Sequence, residues 1–179
     1  MMRFPRLQVV LLMWSAVTGT MFSTQALAQE EEPKTKTLPL HEVTPDFTLK
    51  ALNGKNLKLS EQRGDVVVLI FWASWCNTCR QVLPVYNALY RNYKDAGLVV
   101  FGITVDDDPI RARQAAEQLK LAYPILMDAK RTVSEAYRLE NTPTTFFIAR
   151  DGSLRTVLEG YKPGNEPAWE QEIRQMLGE

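Results

Sequence analysis

The chain has 179 residues, 21 basic and 21 acidic, so it carries no net formal charge, and 45% of it is hydrophobic. That length and composition suit one globular domain with a sizeable core, and the lack of a basic patch argues against a nucleic-acid partner. Two cysteines and a single histidine are too few for a tetrahedral zinc site, so neither metal nor cofactor is expected.

The first 28 residues read as a secretory signal. Arg3 and Arg6 form a basic start, Leu7 to Val17 is mostly apolar, and Ala26-Leu27-Ala28 is a small-x-small cleavage site. An uncleaved membrane anchor is the alternative for this segment, and no cysteine follows it to take a lipid. Residues 29–43 read as a flexible polar lead-in with Glu30 to Glu32 and Pro33, and residues 44–179 as the folded domain.

Phe47–Leu49 and Leu57–Leu59 are strand candidates around the Asn53-Gly54 turn, a hairpin signal. Ser60 to Gly64 reads as a short turn. Val66 to Trp72 is continuously apolar and β-branched, which predicts a buried central strand of a parallel sheet. Ala73 and Ser74 let the chain turn, and Trp75-Cys76-Asn77-Thr78-Cys79 leads straight into a helical pattern from Asn77 to about Lys94. Its apolar positions are Val82, Leu83, Tyr86, Leu89, Tyr90 and Tyr93, with Pro84 inside as a kink.

Leu98 to Val105 predicts a second buried strand. Asp106 to Asp108 follow, with Asp108 capping a helix from Pro109 to Lys120. Pro124–Met127 is a short strand, and Asp128 caps a helix over Ala129–Arg138. Thr144–Ala149 and Leu154–Glu159 form a hairpin about Asp151-Gly152, and Glu166–Leu177 is the last helix.

The two cysteines therefore stand where a strand ends and a helix begins. Residues three apart share a helix face, so Cys76 and Cys79 can reach disulfide geometry. Free N–H groups and the macrodipole stabilise a thiolate at Cys76, the exposed attacking thiol, while Cys79 one turn deeper resolves the mixed disulfide. A structural staple across two intervening residues would restrain the unfolded chain little, so the redox reading is preferred.

The run F-W-A-S-W-C-x-x-C (Phe71 to Cys79) resembles the thioredoxin superfamily. Together with T-P-D-F-T-L (Thr44 to Leu49), Pro84 and T-P-T-T-F-F-I (Thr142 to Ile148), it resembles the exported TlpA/ResA-like, AhpC/TSA-related branch. The resemblance implies an α/β thioredoxin-like fold: a mixed central sheet flanked by helices, with an N-terminal β-hairpin and a central insertion around Asp106 to Met127. It implies a cis Pro143 packed against the cysteine pair, with Thr142, Pro143 and Trp75 receiving an extended substrate segment. It also implies a periplasmic thiol–disulfide oxidoreductase, expected to be a monomer. Such an enzyme would reduce protein disulfides, as in cytochrome c or copper-centre assembly, and would be recharged by a membrane thiol–disulfide electron donor. Disulfide isomerase or oxidase is the alternative within that class, and a copper-delivery module is the non-enzymatic one. Peroxidase chemistry is disfavoured because Ala73 stands where a threonine is needed.

Two positions depart from the pattern. Thioredoxin carries a buried acid where this chain has Ile70, and many TlpA/ResA-like proteins carry a glutamate where it has Val82. The base for Cys79 would have to be Glu61, Asp65, Glu140 or water.

Overall fold

The computed structural model describes residues 38–178. The signal pattern over residues 1–28 and the lead-in as far as residue 37 lie outside the described residues. Among the described residues no helix is long and apolar enough to cross a membrane.

Seven strands form one mixed sheet: β1 Thr48–Ala51, β2 Asn56–Lys58, β3 Val66–Trp72, β4 Leu98–Thr104, β5 Ile125–Met127, β6 Thr144–Ile148 and β7 Leu154–Glu159, in the order β2-β1-β5-β4-β3-β6-β7. The parallel core β5-β4-β3 is joined by helices α1 (Asn77–Tyr93) and α2 (Pro109–Gln118). Every residue of β3 is buried, as its unbroken apolar run requires of a strand covered on both faces. Strands β1 and β6 then join antiparallel on either side. This is the mixed α/β, thioredoxin-like arrangement the motifs implied, and the β1–β2 hairpin turns through Asn53-Gly54 as its sequence predicts.

Alternation along the strands sorts the core into two layers. On one face Tyr86 of α1 packs against Phe147 and stacks on Trp169 of α4 (Glu166–Leu177). On the other, Tyr137 meets Phe47, Phe71 and Phe146, and its hydroxyl donates to the Pro45 carbonyl at 2.8 Å. Residue 102 is glycine because the side chains of Ile125, Tyr123 and Trp72 crowd the place of a Cβ. A Cβ there would stand 2.7 Å from Ile125 Cδ1, 3.0 Å from Tyr123 and 3.2 Å from the Trp72 indole nitrogen. Gly102→Ala should therefore cost about 1–3 kcal/mol by overpacking, read as a lower urea midpoint at unchanged slope. An unchanged midpoint would contradict this packing.

Two local expectations need correction. The helix expected over Ala129–Arg138 is only α3, Thr132–Ala136. Asp128 still caps it, but from four residues upstream, its carboxylate accepting the N–H groups of Val133 (3.2 Å) and Ser134 (2.7 Å). Residues 129–131 are spent closing that turn, with Arg131 left-handed at φ 57°. The described end of the lead-in is also tied down. The Leu38 side chain joins the core, His41 donates its N–H to the Leu154 carbonyl, Leu154 donates to Glu42, and Val43 bridges Ser153. This short segment covers the open edge at the start of β7.

Candidate redox site

The site stands at the C-terminal end of β3. After Trp72 the chain makes a tight turn closed by the Cys76 N–H donating to the Ala73 carbonyl (3.1 Å), and α1 starts at Asn77. Cys76 is the residue that caps α1: its Sγ accepts the Cys79 N–H at 3.1 Å. A sulfur in that place receives both a backbone hydrogen bond and the positive end of the helix dipole, the environment that favours a thiolate. Cys76 and Cys79 are joined as a disulfide. Cys79 is fully buried and Cys76 retains 7% exposure, so a partner reaches the pair only through Cys76. That opening is narrower than the sequence suggested, because the Thr142 carbonyl oxygen lies 3.6 Å from Cys76 Sγ.

Thr142 and Pro143 come from the loop before β6, brought beside the cysteines by antiparallel pairing of β6 with β3. The Thr142–Pro143 peptide is cis, as expected from the resemblance. Trp75 is 66% exposed, the most exposed aromatic of the described chain among its large apolar side chains. A groove of about 350 Å³ runs beside it, bounded by Val105, Ser134, Leu139, Glu140 and Thr142. The structure thus brings Trp75, Cys76, Cys79, Thr142 and Pro143 to one place.

The neighbourhood of Cys79 has no buried acid on its own strand or helix. Ile70 and Val82 are apolar and buried. Glu61 and Asp65 flank the opposite end of β3, about 23 Å away for a seven-residue strand, so neither serves the pair. Glu140 alone of the acids considered lies on the groove. Tyr86, on the same helix face as Cys79, is no base either, since burial pushes its hydroxyl far above the ordinary phenol range.

One residue escaped the sequence reading. Asp106, grouped there with the capping Asp108, is 5% exposed and turns inward. Its carboxylate accepts the Ser74 N–H (2.8 Å), the Ser74 hydroxyl (2.8 Å) and the Thr104 hydroxyl (2.6 Å). Asp108 caps α2 as expected, accepting from the Ile110 N–H at 2.8 Å.

A disulfide seated at a helix N-terminus, at the end of the central strand of this mixed sheet, defines a thioredoxin-superfamily thiol–disulfide oxidoreductase of the TlpA/ResA-like type. The sequence profile of the AhpC/TSA family matches residues 40–157, and the chain belongs to that family. It is 35% identical over 116 residues to the thiol-disulfide oxidoreductase ResA of Geobacillus kaustophilus, covering 65% of this chain and 67% of that one. It is 31% identical over 116 residues to ResA of Bacillus subtilis, covering 65% of each. Among solved structures it resembles a Chlorobium tepidum protein assigned as thiol:disulfide interchange protein DsbE, with TM-score 0.76 and 34% identity over 79% of this chain and 100% of that one.

Proposed function

We propose that this chain is an exported, periplasmic thiol–disulfide oxidoreductase that reduces disulfides in protein substrates. The observation that carries the reading is the placement of Cys76 Sγ: it caps α1, faces the Thr142–Pro143 loop, and shields Cys79 behind it. In the dithiol form the Cys76 thiolate attacks one sulfur of a substrate disulfide. A mixed disulfide forms and the other substrate sulfur leaves as a thiolate, which takes a proton from solvent. Cys79 loses its proton and attacks Cys76 Sγ. The second substrate thiol departs, and the Cys76–Cys79 disulfide remains; the substrate has gained the two electrons the protein has lost. A membrane dithiol donor would restore the starting state. Trp75, with Thr142 and Pro143, supplies the surface on which an extended substrate segment lies, its backbone pairing with that of Thr142. Residues 1–28 act as the export signal in this reading, residues 29–43 lead into the domain, and the protein works as a monomer.

The test is stoichiometric. The dithiol protein, freed of reductant, should convert one protein disulfide to two thiols for each Cys76–Cys79 disulfide formed, by mass spectrometry of alkylated products. A dithiol form that leaves every offered protein disulfide intact would end the proposal.

No acid stands on the strand or the helix that carry the pair, so in this reading the proton of Cys79 goes to solvent. Release of the mixed disulfide should therefore accelerate roughly tenfold per pH unit between about pH 6 and pH 8, following the thiolate fraction of Cys79. Stopped-flow release measured across that range checks it. A flat profile would reveal a dedicated base.

A further inference from the structure

We propose that Asp106 is a positioning residue for Cys76, acting through Ser74; the proposal rests on the redox reading of the pair. Ser74 is one of the two central residues of the turn that delivers Cys76, since that turn is closed by the Cys76 N–H donating to the Ala73 carbonyl. All its polar groups are gripped from outside the turn. The N–H and hydroxyl go to the Asp106 carboxylate at 2.8 Å each, and the carbonyl accepts from Arg80 Nη2 at 3.2 Å. Arg80 follows Cys79 on α1 and also reaches Gln118 of α2 at 3.4 Å. Asp106 in turn is fixed by the Thr104 hydroxyl at 2.6 Å, and its own N–H donates to that hydroxyl at 3.2 Å. The redox turn is thereby locked to the end of β4 by a buried, acceptor-only group whose three donors are all identified.

The lock matters most in the dithiol state. When oxidised, the Cys76–Cys79 bond itself holds the turn against the first turn of α1. When reduced, that covalent tie is gone, and only the Ser74 grip and the local backbone keep Cys76 Sγ against the Cys79 N–H. Stabilisation of the thiolate depends on that contact. Loss of the Asp106 acceptor should let the turn relax, move the sulfur off the amide, and raise the Cys76 pKa. A pure charge effect has the opposite sign: removing a nearby negative charge would lower it. The direction of the shift thus separates positioning from electrostatics.

The experiment follows the rate of alkylation of reduced protein by iodoacetamide against pH, with Cys79 distinguished from Cys76 by peptide mapping. Wild type, Asp106→Ala, Asp106→Asn and Ser74→Ala are compared. Asp106→Ala should shift the Cys76 profile upward by about one unit, leaving roughly tenfold less thiolate near neutral pH. Asp106→Asn should stay near wild type, because its oxygen still takes the Ser74 N–H and the Thr104 hydroxyl, which share one carboxylate oxygen, while the Ser74 hydroxyl rotates to accept from its amide. Ser74→Ala keeps the N–H contact and should shift less than Asp106→Ala, in the same direction. Unshifted or downward-shifted profiles in both Asp106→Ala and Ser74→Ala would overturn the proposal. Should Asp106→Ala fail to fold, Ser74→Ala against Asp106→Asn decides it: an upward shift in the first only supports positioning, and no shift in the first overturns it. Alkylation needs no substrate protein. A wild type that is alkylated normally yet reduces no protein disulfide would count against the oxidoreductase reading and leave the Asp106 result standing.

Discussion

Replacing Cys79 by serine will arrest the protein as a covalent adduct with its substrates, whereas replacing Cys76 will yield no adduct at all. The asymmetry follows from burial. Cys79 is sealed under the helix start, and Cys76 alone has an open face, next to the Thr142 carbonyl. Only Cys76 can therefore receive an incoming disulfide, and only Cys79 stands close enough to release it. Turnover should fall by three orders of magnitude or more, roughly, in either single variant, the size expected when a nucleophile that acts as a unit with its partner is removed. Non-reducing gels of Cys79→Ser mixed with a protein disulfide should show a higher-mass band that dithiothreitol removes. An adduct in Cys76→Ser, or none in Cys79→Ser, would reverse the assignment of roles.

The largest stability loss is expected at Tyr137, far from the cysteines in sequence and on the opposite face of the sheet from Tyr86. Its ring packs edge-on against Phe47 and Phe146 and tilted against Phe71, with centroids at 6.1, 5.1 and 5.6 Å. Tyr137→Ala removes an aromatic from a filled layer and should cost about 3–5 kcal/mol, as other buried aromatic truncations do. It also leaves the Pro45 carbonyl without its donor. Tyr137→Phe isolates that second effect and should cost about 1 kcal/mol. Urea denaturation of both variants measures the split. Equal losses in the two would mean that the hydroxyl, not the ring, holds the Pro45 loop to α3.

Most of the fold was legible because its central elements announce themselves locally. The run Val66–Trp72 reads as a covered strand, the three-residue cysteine spacing at its end suits a helix start, and Pro109 behind Asp108 marks another. The cis Thr142–Pro143 bond was a different matter. Nothing in its own dipeptide distinguishes it from the great majority of trans X-Pro bonds, and only the resemblance carried by neighbouring motifs pointed to it.

What stayed hidden are contacts between residues distant in sequence. Asp106 meets Ser74 across 32 positions, and its neighbours Asp107 and Asp108 disguised it as part of a solvated cap. A signal did exist. Strands β3 and β4 run parallel with Trp72 opposite Thr104, so the residues two beyond each end, Ser74 and Asp106, must face one another. Reading that required the register, which composition does not give. The helix expected from Ala129 failed for a related reason. Asp128 reaches the amides of Val133 and Ser134 rather than the nearest ones, and three residues that could have been helical become a turn. The docked end of the lead-in escaped notice because edge pairing with Ser153 and Leu154 leaves no periodicity in so short a segment.

The equilibrium reduction potential of the Cys76–Cys79 couple decides whether the pair works as a reductant. Cys76 Sγ receives one backbone N–H, and the intervening Asn77-Thr78 brings no cation to hold a thiolate. The proposed reducing role therefore expects a dithiol form that is only moderately stabilised, as in reductants rather than oxidants. Equilibration against a dithiothreitol buffer, read by alkylation and mass spectrometry, should give a value near or below about −270 mV. A value of roughly −120 to −180 mV, the range of strong oxidants and isomerases, would contradict a reducing role and assign the protein to disulfide formation or shuffling.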